Sequence, residues 1–120
     1  MTKSPKFYEF EKMPFEQMSE KVFRRYVHGE HAMLCYFKLL KGAEIPEHHH
    51  INEQITYIVK GKVKVFAGGK EYIVSAGEVI QFPPNLPHRF IALEDTIDID
   101  VFSPPRQDWI DGTASYFTKK

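Results

Sequence analysis

Apolar and polar residues alternate in short runs along most of the chain, which is the pattern of half-buried β-strands. Gly, Pro and Asn residues separate these runs, as they do where strands are joined by tight turns. From residue 31 onward no run has the period of an amphipathic helix. Eight strands are predicted, at residues 22–27, 32–40, 54–60, 62–67, 70–75, 78–82, 87–93 and 95–103. Such a series of short strands predicts an all-β sandwich or barrel.

Glycines mark the turns between three of the predicted strands. Gly68 and Gly69 can supply the positive φ angles of a tight hairpin, and Gly61 separates the preceding pair of strands. We therefore expect the three strands between residues 54 and 75 to form a meander. Residues 11–21 are compatible with a short helical turn, whose length Pro14 would limit.

The chain has 120 residues, which is the size of a single domain with one modest core. We divide it into an N-terminal segment with an edge strand at residues 1–30, a barrel at residues 31–103 and a tail at residues 104–120. The tail carries three aromatic residues, so we expect it to pack against the barrel or a partner subunit. These aromatic residues are Trp109, Tyr116 and Phe117.

Charge and hydropathy argue against several classes of partner. The chain has 16 basic and 16 acidic residues with no long run of either sign, so we expect no nucleic acid. No segment approaches the roughly 18 apolar residues of a membrane span, and the N-terminus lacks the apolar region of a signal peptide. Cys35 is the single cysteine, in an apolar run typical of a packing residue. We expect a soluble protein of the reducing cytoplasm.

A group of histidines in the middle of the chain carries the most specific chemistry. If this segment is a regular strand, His48, His50, Asn52 and Gln54 point to one face. Imidazole nitrogens with a carbonyl oxygen suit one divalent transition-metal ion, such as Zn, Ni, Fe, Mn or Co. His88, which begins a later strand after a proline-rich loop, can complete the set.

Other nearby residues leave alternatives open. A strand bulge could turn Glu53 inward in place of Gln54, although parity favours Gln54. His49 has the opposite parity to its neighbours and should face away from the site. We interpret His28 and His31 as ordinary surface or core residues.

A second set of candidate residues lies near the end of the last predicted strand. Asp98, Asp100 and Phe102 alternate with aliphatic residues and should share one face, which places a carboxylate near the metal if that face is the lumen. Two prolines precede Arg106 and could aim its guanidinium over the barrel mouth, where it would bind a substrate carboxylate. Alternatively, Asp100 and Arg106 pair only with each other or with solvent.

The spacing of these residues resembles the two motifs of the cupin family. Gln54 stands where the first motif usually has glutamate, and Asn85 and Ala92 replace the glycine and the final asparagine of the second. The resemblance implies a single-domain cupin, that is, a double-stranded β-helix or jelly-roll barrel. An amide in place of a carboxylate favours Lewis-acid chemistry over redox cycling. The matching residues are Gly42-x5-His48-x-His50-x3-Gln54-x6-Gly61 and Gly77-x5-Pro83-x4-His88.

Two further segments resemble the small pectin degradation cupins of the KdgF type. The segments are Glu53-Gln54-Ile55-Thr56-Tyr57 and Asp100-Val101-Phe102-Ser103-Pro104-Pro105-Arg106. That family is associated with opening the rings of 4,5-unsaturated uronates at a metal held by three histidines and a glutamine. The resemblance implies metal binding by His48, His50, Gln54 and His88, proton transfer by Asp100, binding of an acidic sugar by Arg106, and a pocket wall at Phe102.

Other functions are compatible with the same ligands. A metal-dependent dioxygenase, a polyketide cyclase, or a non-catalytic module that binds a small ligand would each use a similar barrel. Ile97, Ile99 and Val101 alternate opposite the aspartates, so the outer face of this strand should be covered. We expect a second subunit to cover it, which predicts a homodimer.

Overall fold

The computed structural model describes residues 4–114, which form two antiparallel β-sheets around one core. The elements are a 3-10 helix at Phe10–Lys12, β1 Glu16–Ser19, β2 Val22–His28, β3 Met33–Leu39, β4 Glu44–His48, β5 Glu53–Lys60, β6 Lys62–Ala67, β7 Lys70–Ser75, β8 Val79–Phe82, β9 His88–Ala92, β10 Thr96–Ser103 and α1 Gln107–Ile110. One sheet has the order β1-β2-β3-β10-β5-β8 and the other β4-β9-β6-β7. The predicted all-β fold is confirmed.

All eight predicted strands are present, and two strands were missed. β4 was missed because it contains Pro46, and proline is rare inside strands. β4 is an edge strand of its sheet, where a residue without an N–H donor is tolerated. β1 lies in residues 11–21, for which a helical turn was predicted. The 3-10 helix covers three residues there, and β1 pairs with β2, where Arg24 Nε donates to Glu16 Oε1 at 2.9 Å.

The predicted meander is wrong, because β5 and β6 belong to different sheets. β5 pairs with β8 and β10, whereas β6 pairs with β7 and β9. The chain crosses between the sheets at Gly61, whose φ is 92°. A Cβ there would collide with the backbone oxygen of Asp95, so only glycine fits this crossing. The hairpin between β6 and β7 does turn through Gly68 and Gly69, at φ angles of 59° and 75°.

The alternation along β10 places its two faces as the sequence indicates. Asp98, Asp100 and Phe102 are buried between the sheets, and the intervening aliphatic side chains lie on the outer face. The side chain of Trp109, in α1, closes this interior by packing against three aromatic rings. Its ring centroid lies 5.5 Å from Tyr26, 5.8 Å from Phe37 and 5.1 Å from Phe102.

Two of the three predicted parts of the chain, the N-terminal segment and the tail, extend beyond the residues that the structure describes. Tyr116 and Phe117 of the predicted tail fall outside the described residues, as do residues 1–3 of the N-terminal segment. The three-part division of the chain stays a prediction. Within residues 4–114, no helix has the length and apolar character that crossing a bilayer requires.

Candidate metal centre

Three histidines converge at one end of the barrel. His48 ends β4 and lies directly opposite His88, the first residue of β9. His50 lies in the connection to β5, so this segment is not one regular strand. The connection nevertheless returns the His50 ring to within 5.4 Å of His48 and 5.1 Å of His88, measured between centroids. One donor atom from each ring lies within 4.8 Å of the others, a group that could hold a metal ion.

Backbone carbonyls set the tautomer of all three rings. The Nδ1 atoms of His48, His50 and His88 lie 2.8, 3.0 and 2.8 Å from carbonyl oxygens of nearby residues. A carbonyl only accepts, so each Nδ1 carries the proton and each Nε2 keeps a lone pair. A hydrogen bond from the far ring nitrogen is the support that metal-binding histidines commonly have.

The same rings are held neutral. Burial lowers the pKa of His48 to about 3, with a further contribution from the charge of His88. Burial and the charge of Arg106 lower the pKa of His50 to about 4, and burial also lowers the pKa of His88. At neutral pH all three lone pairs are therefore available without competition from protons.

A buried atom without a partner supports this arrangement. Among residues 4–114, no group forms a hydrogen bond with Nε2 of His88, which is fully buried. Leaving such an atom unsatisfied costs roughly 1–3 kcal/mol. A metal ion bound there would satisfy it, so the residues present fit a metal ion.

Gln54 presents an oxygen to the same place. Its Oε1 lies 3.1 Å from Nε2 of His50, and its Nε2 donates to Thr56 Oγ1 at 2.9 Å. Because the His50 proton is on Nδ1, this short contact joins two atoms that both carry lone pairs. A shared cation stabilises such a pair, and Gln54 is thus placed as a fourth ligand.

The neighbouring residues left open by the sequence do not face the histidines. Glu53 is exposed and accepts a hydrogen bond from Gln81 at 2.7 Å, so it does not replace Gln54. Asn52 is buried, but its Nδ2 donates to the backbone oxygens of Pro104 and Pro105 at 2.6 and 3.1 Å. Three other histidines are exposed, namely His28, His31 and His49.

The loop before His88 shows why one departure from the cupin motif is tolerated. Asn85 replaces the glycine of the second motif and has a φ of 66°, which asparagine adopts more readily than most residues. Its backbone N–H donates to the carbonyl oxygen of His50 at 2.7 Å. The loop is therefore fixed against the segment that carries His50.

Two buried carboxyl groups lie beyond Gln54. Thr56 donates to Oδ1 of Asp100 at 2.6 Å, whereas no N–H or hydroxyl in the described part of the chain donates to Asp98. Burial, followed by the charge of Asp100, raises the pKa of Asp98 well above its usual value. Burial also raises the pKa of Asp100, although hydrogen bonds from Asp98 and Thr56 oppose this. Of the two carboxyl groups, Asp98 therefore keeps its proton more readily than Asp100.

The location of Arg106 differs from the expected one. Its side chain is only 1% exposed, and the guanidinium lies inside the barrel rather than over the mouth. Nε and Nη2 donate to the two carboxylate oxygens of Asp108 at 2.9 and 2.7 Å, and the guanidinium carbon lies 4.6 Å from the Trp109 ring centroid. Burial opposes ionisation of Asp108, but the bonds and charge of Arg106 outweigh it and lower its pKa.

The space around these groups decides where a ligand can lie. The interior cavity between the carboxyl pair, Arg106 and Trp109 has a volume of about 10 Å³, enough for a water molecule and not for a sugar. A separate cavity of about 550 Å³ is lined by His50, Pro104, Pro105 and Asp108, among others. A sugar-sized ligand fits there, next to His50.

Sequence reasoning did not assign three polar residues of this region. Thr56 follows Gln54 by two positions on β5, so strand parity would have placed both on one face. Asp98 had been placed on the inner face without a role. Asp108 follows Arg106 by two positions, but nothing in the sequence indicated that it binds the guanidinium in bidentate fashion.

Comparison with known proteins agrees with this geometry. Residues 35–103 match the family described as Cupin domain. The pectin degradation protein KdgF of Dickeya dadantii (strain 3937) is 29% identical over 100 residues, which are 81% of this chain and 91% of that protein.

Two solved structures are similar over nearly their full lengths. KdgF from Halomonas sp. has a TM-score of 0.83 and 28% identity, covering 88% of this chain and 99% of its own. An RmlC-like cupin from Shewanella frigidimarina NCIMB 400 has a TM-score of 0.82 and 29% identity, covering 91% and 99%. The resemblance predicted from the motifs is confirmed, and the chain belongs to the cupin family, where it is similar to the KdgF proteins.

Proposed function

We propose that this cupin is an enzyme that opens the ring of 4,5-unsaturated uronates at one divalent metal ion. His48, His50, Gln54 and His88 would hold the ion, which supplies Lewis-acid polarisation of a sugar hydroxyl or carbonyl when bound. The observation that carries the proposal is the placement of three convergent imidazoles near two buried carboxyl groups. The similarity to pectin degradation proteins supports the choice of substrate class.

Asp100 is the proposed group for proton transfer. Ring opening removes a proton from the anomeric hydroxyl, breaks the bond between the anomeric carbon and the ring oxygen, and adds a proton at carbon 4. The reaction is an isomerisation without net gain or loss of protons, so one carboxylate can accept the proton and return it. A carboxyl group whose pKa is raised toward the working pH suits both steps. No electron transfer is required.

Arg106 is the proposed group that attracts the substrate carboxylate. Its buried positive charge favours an anion nearby, and Asp108, which lines the cavity of about 550 Å³ and whose side chain is 33% exposed, occupies the bidentate edge of the guanidinium. A uronate carboxylate would displace one hydrogen bond of Asp108 to reach Arg106. Phe102, which packs edge-on against His50 at 5.6 Å between centroids, forms the wall behind the histidines.

A spectrophotometric assay tests the proposed reaction. Protein loaded with Zn²⁺ is incubated with 4,5-unsaturated galacturonate, and loss of the conjugated-alkene absorbance is compared with the spontaneous rate. We expect acceleration that a chelator removes and that restored Zn²⁺ recovers. Equal rates with and without metal-loaded protein would contradict the proposal, and consumption of O₂ with another substrate would favour a dioxygenase. The assay is repeated with Ni, Fe, Mn and Co to identify the active ion.

We also propose that a second copy of the chain covers the outer face of the six-stranded sheet. Six aliphatic or aromatic side chains on β3, β5, β8 and β10 are between 36% and 58% exposed there, which is typical of a covered face. Light scattering should return about twice the monomer mass of 14.0 kDa. A single species at the monomer mass would exclude the dimer. The six are Leu34, Ile55, Tyr57, Val59, Val79 and Val101.

A further inference from the structure

A chain of hydrogen bonds leads from Gln54, which lies beside the histidines, to the buried carboxyl group of Asp100. Gln54 Oε1 lies 3.1 Å from His50 Nε2, and Gln54 Nε2 donates to Thr56 Oγ1 at 2.9 Å. Thr56 Oγ1 in turn donates to Asp100 Oδ1 at 2.6 Å. Gln54, Thr56 and Asp100 are all buried.

Strand pairing fixes the members of this chain relative to one another. Gln54 and Thr56 are two positions apart on β5 and therefore project to the same side of the sheet. Asp100 on β10 lies directly opposite Thr56 in the register, and Phe102 lies opposite Gln54. The Thr56 side chain is fully buried, and its hydroxyl forms hydrogen bonds with the Gln54 amide on the same strand and with the Asp100 carboxylate on the neighbouring strand.

The chain has a direction, because a threonine hydroxyl has one proton to donate. A carboxylate only accepts, so the Thr56 proton points to Asp100, at a distance typical of a charge-assisted bond. The hydroxyl oxygen must then accept from the Gln54 NH₂ group. The opposite direction would turn NH₂ toward the histidines and would require Asp100 to donate to Thr56.

We propose that Thr56 is a positioning residue, which uses the Asp100 carboxylate to turn the Gln54 amide so that its oxygen faces the three histidines. The proposal rests on the proposed metal site and adds how its one amide ligand is oriented. A glutamine can present either an oxygen, which binds a metal ion, or an NH₂ group, which does not. A glutamate at this position would present an oxygen in both orientations and would not need Thr56 for this purpose.

This difference permits a double-mutant cycle with Zn²⁺ affinity as the readout, measured by calorimetry on the intact protein. Thr56→Val in the native background should weaken Zn²⁺ binding about tenfold, within the range for residues that support metal ligands. The same substitution combined with Gln54→Glu should cost less than about threefold. Thr56→Ser keeps the hydroxyl and should bind Zn²⁺ within about twofold of the native protein.

Equal losses from Thr56→Val in the native and the Gln54→Glu backgrounds would overturn the proposal, because a general structural role acts in both. Native affinity of Thr56→Val would overturn it as well. If native protein failed to bind Zn²⁺, the metal site itself would be wrong, and the orientation of Gln54 toward it would have no function.

A second measurement avoids dependence on the folding of Thr56→Val. In native Zn²⁺-loaded protein, the Gln54 side-chain NH₂ protons should give nuclear Overhauser effects to Thr56 and exchange slowly with solvent. Effects from these protons to the His50 ring, without effects to Thr56, would show the reverse orientation and overturn the proposal.

Discussion

Replacing His48 and His50 together with alanine should abolish stoichiometric binding of Zn²⁺ and leave the barrel folded. The double variant removes two of the three neutral imidazoles whose donor atoms converge. His88 and Gln54 alone do not chelate an ion, so we expect affinity to fall at least about a thousandfold. Titration with Zn²⁺ and metal analysis after dialysis measure the loss, and circular dichroism measures the fold.

The fold should survive because neither imidazole belongs to the apolar core. Both rings are only partly buried, at the end of the barrel. Both are neutral at pH 7, so their removal takes no charge from the site. A variant with His28 and His49 changed to alanine is the matched control, since it removes two exposed imidazoles from the same chain. The control should bind Zn²⁺ as the native protein does. One bound ion per chain in the variant that lacks His48 and His50 would show that other residues are the ligands.

Strand positions were predictable because alternation along a strand reports burial directly. β10 is the clearest case, with aspartates, Phe102 and Thr96 inside and aliphatic residues outside. Alternation does not report which strands pair. β5 and β6 are adjacent in the chain, yet the glycine crossing at Gly61 sends them to different sheets. That choice depends on packing between the sheets, which no local pattern contains.

The metal ligands were predicted from spacing and strand parity, although residues 48–54 do not form one regular strand. His48, His50 and Gln54 meet because the chain leaves β4, turns, and enters β5 in the opposite sheet. The spacing of the cupin motif implies this geometry, whereas the alternation of side chains along a strand does not. The pairing of Arg106 with Asp108 and the raised pKa of Asp98 beside Asp100 depend on which groups face one another after folding. A single sequence does not contain this information.

Asp100→Asn is expected to keep the metal and the fold and to lower turnover of 4,5-unsaturated galacturonate roughly 10²- to 10⁴-fold, the usual contribution of a positioned acid or base. Asparagine is nearly the same shape, and its Oδ1 can still accept the hydrogen bond from Thr56. The amide cannot accept and return the proton that ring opening transfers. Steady-state kinetics of the Zn²⁺-loaded variant measure the loss, which should fall on kcat rather than KM.

Asp98→Asn is the matched control for this prediction, since it changes the other carboxyl group of the same buried pair. Asp98 keeps its proton more readily than Asp100, and asparagine is a neutral residue of nearly the same shape as a protonated aspartate. We expect turnover of this variant within about tenfold of the native rate, because Asp100 remains free to move a proton. Equal and large losses in both variants would mean that the pair acts as one unit, and native turnover by Asp100→Asn would remove Asp100 from the reaction altogether.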